Sequence, residues 1–206
     1  MQWILYDVGG VLELVDDDRW PDVLRETWAA RFGLTVEDVR ARMQGADLPD
    51  MSLRTGVAEE YWRKTGDALG ADPDQLATMR SEFWDAYCGT ANTELLEHAR
   101  SLRGRANLAI LSNSGDGARE EEERRFGFSS VFDPVCYSHE QGVAKPDPGA
   151  YLMAMERMHA SPDKVLFIDD NEGPVRGAQE CGIRAERHVR NETTIAAIER
   201  FLAPRP

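Results

Sequence analysis

"QWILYDVGGVLEL", residues 2 to 14, decides how the rest of the chain is read. An apolar run of strand length ends in one carboxylate, Asp7, breaks at Gly9-Gly10 and turns apolar again. Further runs of the same kind follow: "NLAILSNS" (107–114), "DPVCYS" (133–138), "KVLFIDD" (164–170) and a weaker "IRAERHV" (183–189). Helical segments separate the later ones. "GAYLMAMERMHA" puts Tyr151, Leu152, Met155 and Met158 near one face, and "GPVRGAQECG" ends in a glycine suited to a helix stop. Strands alternating with helices predict an α/β fold, with a parallel sheet covered by helices on both faces.

Residues 14 to 91 read differently. They carry little strand character and several aromatic-rich helical patterns, among them "WPDVLRETWAARFG" and "PDQLATMRSEFWDAY". Thr35 and Asp72 precede two such runs as helix caps. The expected organisation is an α/β core of 1–13 and 92–206, with a helical cap of 14–91 inserted after the first strand. Trp20, Trp28, Trp62 and Trp84 fall at helical spacing and read as cap core, one of them available to line a pocket. Arg54 and Thr55 precede a helix start. Arg54 is a candidate for phosphate or sugar binding, against the plainer reading of a surface arginine beside a capping threonine.

The 206 residues suffice to bury a sizeable core, and 42% hydrophobic with 30% charged residues describes a globular chain. A net charge of −13 opposes nucleic-acid binding, which needs clustered Lys and Arg, but leaves small phosphorylated substrates open. No apolar stretch approaches the roughly 20 residues that cross a bilayer, and the N-terminus has no secretory pattern. The expectations are no membrane partner, a cytoplasmic location, and a monomer or homodimer. Cys88, Cys136 and Cys181 lie far apart without metal spacing and read as free core thiols.

In an open parallel sheet, ligands collect at the carboxyl ends of the strands. Those ends carry Asp7, then Ser112-Asn113-Ser114-Gly115, then Asp169-Asp170-Asn171, and "GVAKPDPGAY" adds Lys145 just after the third strand. Singly, each has a plainer reading: a turn former, a helix cap, a solvated lysine. The acid pair is harder to dismiss, because adjacent carboxylates closing a buried strand repel unless a cation or donors compensate.

In this order, the four segments resemble the motifs of the haloacid dehalogenase superfamily of hydrolases. "LYDVGGVL" matches the first motif, "LAILSNS" the second, "GVAKPDPGAY" the third and "VLFIDDN" the fourth. The resemblance covers nearly the whole chain and implies a Rossmann-like core with a helical cap. It implies a phosphatase in which Asp7 is the nucleophile and an aspartyl phosphate the intermediate. Mg²⁺ would be held by Asp7, Asp170 and the Gly9 carbonyl, with Asp169 ligating or orienting beside them. Ser112 and the N–H groups of Asn113 and Gly10 would bind phosphoryl oxygens, and Lys145 would neutralise both the phosphate and Asp7.

The departure is at Gly9, where most phosphatases of the family carry the aspartate that protonates the leaving oxygen. Three readings stay open. One is a phosphatase whose leaving group departs easily or whose acid comes from elsewhere; the D-x-G-[NG] branch, which "YDVGGVL" resembles, includes phosphatases of sugar 1-phosphates. Glu13 and the run Asp16-Asp17-Asp18 lie nearby, with no geometric warrant in the sequence. The second is a metal-independent haloacid dehalogenase, opposed by Asp169-Asp170. The third is a non-catalytic phosphate-binding or interaction protein.

Overall fold

A computed structural model describes residues 1–15 and 19–204. The acidic run 16–18 lies outside the described residues. The first strand, β1 (Trp3–Tyr6), is followed by a tight turn in which the Val8 carbonyl accepts from Val11, Leu12 and Glu13. That turn buries Val8, Val11 and Leu12 and leads into β2 (Glu13–Leu14). Four helices follow: α1 (Trp20–Phe32), α2 (Val36–Gly45), α3 (Ala58–Leu69) and α4 (Pro73–Cys88). The chain returns through β3 (Thr90–Ala91), antiparallel to β2. The helical cap therefore leaves and re-enters the core through one two-stranded neck.

The core continues with α5 (Thr93–Ser101), β4 (Asn107–Ser112), α6 (Ala118–Phe126), β5 (Val135–Tyr137) and the short α7 (Ser138–Gln141). Then come α8 (Pro148–Met158), β6 (Val165–Asp169), α9 (Glu172–Glu180), β7 (Arg184–Arg187) and α10 (Asn191–Leu202). The five long-range strands form one parallel sheet in the order β5-β4-β1-β6-β7. β1 is central, so its side chains are buried on both faces. Ile4 and Tyr6 join Leu108, Ile110, Leu166 and Ile168 on the face covered by α5 and α10. Leu5 joins Ala109, Leu111 and Phe167 on the face covered by α8 and α9. This is the predicted α/β architecture, and its residue-by-residue alternation follows from the strand period of two.

The cap has its own core, with Trp28 and Trp62 buried edge to face, their ring centroids 6.4 Å apart. Thr35 and Asp72 cap α2 and α4 as predicted, each in a reciprocal box with Asp38 or Gln75. Thr55 is not a cap. The helix starts three residues later, and the N–H groups of Val57 and Ala58 both donate to the Asp116 carboxylate at 2.7 Å. The same residue's N–H donates to the Met51 carbonyl, and the Ser138 hydroxyl donates to the Ser52 carbonyl. A core side chain, rather than a local hydroxyl, thus satisfies the first turn of α3 and ties cap to core.

Candidate active site

Three strand ends bring the chemistry together. Asp7 follows β1, Ser112 closes β4, and Asp169 closes β6. Parallel register sets β1 between the other two, so the nucleophile candidate stands at the middle of the sheet edge. Lys145 comes from the Gly/Pro-rich loop before α8, as expected, with the short α7 between that loop and β5. Its Nζ lies 2.7 Å from Asp7 Oδ1 and 2.7 Å from Asp169 Oδ2.

The lysine is held rigidly. Asn113 Nδ2 donates to the Lys145 carbonyl at 2.8 Å, and the Lys145 N–H donates back to Asn113 Oδ1 at 2.8 Å. The Asn113 side chain is therefore committed to positioning the lysine, leaving its backbone to face the loop after β4. Burial works against a charged lysine, yet the two carboxylates outweigh it and hold the ammonium above its ordinary range. Burial pushes Asp7 upward, against the pull of Lys145 and with the push of Asp169.

Asp169 is fully buried and both its oxygens are engaged: Oδ2 by Lys145 and Oδ1 by the Asn171 N–H at 2.8 Å. Asp170 stands half-buried beside it. Carboxylate oxygens of Asp7, Asp169 and Asp170 all lie within 4.8 Å of one another. Three carboxylates face one ammonium, and the excess negative charge, carried on hard oxygen donors, fits a divalent cation such as Mg²⁺.

The two glycines play opposite parts. Gly10 has φ +71°, and a Cβ there would come within 2.3 Å of Asp170 Oδ2, so only glycine lets the acid approach. Gly9 is exposed, and a Cβ on it would meet nothing within 4 Å. Packing does not exclude a carboxylate there. Ser112 is buried at its strand end, its hydroxyl donating to the Asn113 carbonyl at 3.4 Å. Arg54 is exposed on the loop between α2 and α3, outside this group, with its field acting on Asp50.

Glu13 does not fill the gap at Gly9. It is buried in the neck of the cap with Glu122 of α6, whose Oε2 accepts from the Tyr137 hydroxyl. Burial, then Glu122 and Asp7, push Glu13 up to about 10 against the pull of Arg125. Burial also pushes Glu122 up to about 8, with Asp7 adding to it and Tyr137 and Arg119 opposing. The folded chain keeps protons here that the unfolded chain releases above the ordinary carboxylate value of 4.5. Stability from this pair is full below that value and is lost as pH rises toward 8 and beyond. Glu122→Gln is expected to be more stable than the parent by about 1–3 kcal/mol at pH 8.5 and to differ little at pH 4.5, by urea unfolding. Equal destabilisation at both pH values would show that the carboxyl is not held protonated.

Beside the cluster lies a cavity of about 390 Å³ between cap and core. Asn113 and Ala144, the neighbours of Ser112 and Lys145, form part of its rim. Trp20, Tyr61, Phe83 and Tyr87 line it from the cap. The aromatic spacing in the sequence marked these helices as apolar without showing which rings would face the core.

The model of the haloacid dehalogenase-like hydrolases matches residues 1–182. A phosphorylated carbohydrates phosphatase of Thermotoga maritima is 31% identical over 90 residues, covering 44% of this chain and 41% of that protein. A phosphoserine phosphatase of Thermus thermophilus is 27% identical over 164 residues, covering 77% of this chain and 66% of that protein. The chain thus spans less than two thirds of the length of both. A HAD family enzyme of Bacteroides thetaiotaomicron has the same fold, with a TM-score of 0.72, 23% identity, and 91% of this chain and 93% of that one covered. That enzyme is also known as a complex with magnesium and inorganic phosphate, at a TM-score of 0.69 and 22% identity over the same shares. With four motifs gathered on one sheet edge and a family match running from the first residue past the last of them, the chain belongs to the haloacid dehalogenase-like hydrolases.

Proposed function

We propose that the protein is a Mg²⁺-dependent phosphatase of a small phosphorylated metabolite, a sugar phosphate in particular, from the branch with glycine at the acid/base position. The observation that carries this reading is Lys145, buried and within 2.7 Å of both Asp7 and Asp169. An ammonium there lets an anionic nucleophile meet an anionic phosphoryl group. Residues 1–13 and 92–206 act as the catalytic core and 14–91 as the cap, in a monomer or homodimer without nucleic-acid or membrane partners.

In this reading Asp7 attacks phosphorus, the bond to the leaving oxygen breaks, and that oxygen takes the electron pair. Water then cleaves the aspartyl phosphate and regenerates the carboxylate. Ser112 and the N–H groups of Asn113 and Gly10 hold phosphoryl oxygens, while Asp169 orients Lys145. Asp7, Asp170 and the Gly9 carbonyl are the ligands for Mg²⁺, which when bound neutralises charge on the phosphoryl group. Arg54, exposed on the cap, is available to a substrate hydroxyl or phosphate arriving from solvent.

Phosphate release from a panel of sugar phosphates, nucleotides and other monoesters, with Mg²⁺ and with EDTA, tests this. Mg²⁺-dependent release supports it. Chloride release from 2-chloropropionate, unaffected by EDTA, would make the protein a dehalogenase. Binding of phosphate with no turnover of any substrate would make it a non-catalytic relative.

The open space at Gly9 makes a second test direct. Gly9→Asp is expected to raise turnover of alkyl monoesters at least about tenfold, part of the 10²–10⁴ that general acid–base help supplies. Its Mg²⁺ affinity should match the parent's, since a carbonyl remains. Weaker metal binding in that variant would remove the Gly9 carbonyl from the ligand set.

A further inference from the structure

The cavity beside the cluster has two unlike walls. On the cap side, the Trp20 ring stands edge-on to Phe83 at 5.6 Å and to Tyr87 at 6.1 Å. Phe83 and Tyr87 stack at 5.9 Å with 23° between their planes. On the core side it is lined by Asn113, Ser114 and Ser138, whose side chains are engaged by Lys145, His139 and the Ser52 carbonyl. No Lys, Arg, Asp, Glu or His lines the cavity among the described residues. Its rim residues Asn113 and Ala144 adjoin Ser112 and Lys145 in the chain, which sets this space next to a phosphate held beside Lys145.

An ionised leaving group would lose its hydration there with no opposite charge to meet it, which is unfavourable. An uncharged ring has a partner: its apolar face packs on the aromatic wall. The missing acid at Gly9 points the same way. An oxygen borne on an anomeric carbon or an aryl ring departs as a stabilised anion, and solvent supplies its proton after the bond to phosphorus has broken.

We propose that Trp20, Phe83 and Tyr87 are the specificity wall of the site, selecting phosphomonoesters whose leaving group is an uncharged ring. This rests on the phosphatase reading for its chemistry, but the binding preference stands apart from turnover. Acyclic charged esters, phosphoserine among them, are discriminated against because no charged side chain lines the cavity among the described residues.

The test uses the full chain and measures kcat/KM for glucose 1-phosphate, phenyl phosphate, phosphoserine and acetyl phosphate. Calorimetric binding of the same four compounds to Asp7→Asn gives a readout that needs no turnover. The two ring esters are expected to exceed phosphoserine at least about tenfold in both measurements. Preference for glucose 1-phosphate over phenyl phosphate identifies the ring as a sugar, and the reverse as an aryl group. Trp20→Ala should lower the ratio of ring ester to acetyl phosphate about tenfold or more, chiefly through KM.

Ring-selective binding without turnover would leave the wall standing and overturn the phosphatase reading. Turnover with phosphoserine equal to or above the ring esters would overturn the wall. So would a Trp20→Ala variant with an unchanged ring-to-acetyl ratio. If Trp20→Ala fails to fold, Tyr87→Leu carries the same comparison from the other end of the wall.

Discussion

Asp7→Asn is expected to lose phosphatase activity by at least about 10³-fold while remaining folded. The amide has the shape of the acid but no anionic oxygen to attack phosphorus. The local structure accommodates it. The Val8 N–H, which donates to Asp7 Oδ1 at 2.7 Å, finds an amide oxygen in the same place. Lys145 keeps its 2.7 Å contact with Asp169, so no buried charge is left alone. One repulsion between neighbouring carboxylates disappears. Thermal melting should therefore show no loss of stability alongside the loss of phosphate release. Retention of more than about a tenth of the parent rate would show that another group attacks.

Lys145→Met should fail in both respects. It removes the cation from beside the phosphoryl position, at about 10²–10³-fold in rate by analogy with losing one pre-organised donor. It also strands Asp169, which is fully buried and has Lys145 as its charged partner. Removing one member of a buried ion pair typically costs about 3–5 kcal/mol. The double variant Lys145→Met with Asp169→Asn separates the two effects. Urea unfolding is expected to show stability largely restored, because an amide tolerates the site uncharged, while phosphate release stays lost. Equal stability of the single variant and the parent would overturn this account of the buried pair.

The sheet was legible in the sequence because its strands are buried on both faces and therefore apolar almost without interruption. Ile4, Leu5 and Tyr6 need no partner information to be read as strand. The order of the chemistry-bearing ends was legible for the same reason, since parallel strands deliver their carboxyl ends to one edge. Side-chain commitments were not. Nothing local in "SNSGDG" says that the Asn113 side chain is spent on the Lys145 backbone, or that Asp116 reaches across to α3. Thr55 looked like a cap because capping is usually local, and here the partner is 59 residues away. Among four tryptophans at helical spacing, Trp28 and Trp62 went into the cap core and Trp20 into the cavity wall. That division depends on how the cap docks, which no period of 3.6 encodes. Gly9 and Gly10 are adjacent and identical in type, yet only the structure separates the one that must be glycine from the one that need not be.

Asp116 gives the molecule a mechanical property. It lies four residues beyond Ser112 on the segment leaving β4, and its carboxylate holds the leading turn of α3 at two amides. A cap displaced from the core would lose that anchor at the start of the helix. Hydrogen exchange at Val57 and Ala58 would therefore report any separation of cap from core, since both amides are held by a core side chain.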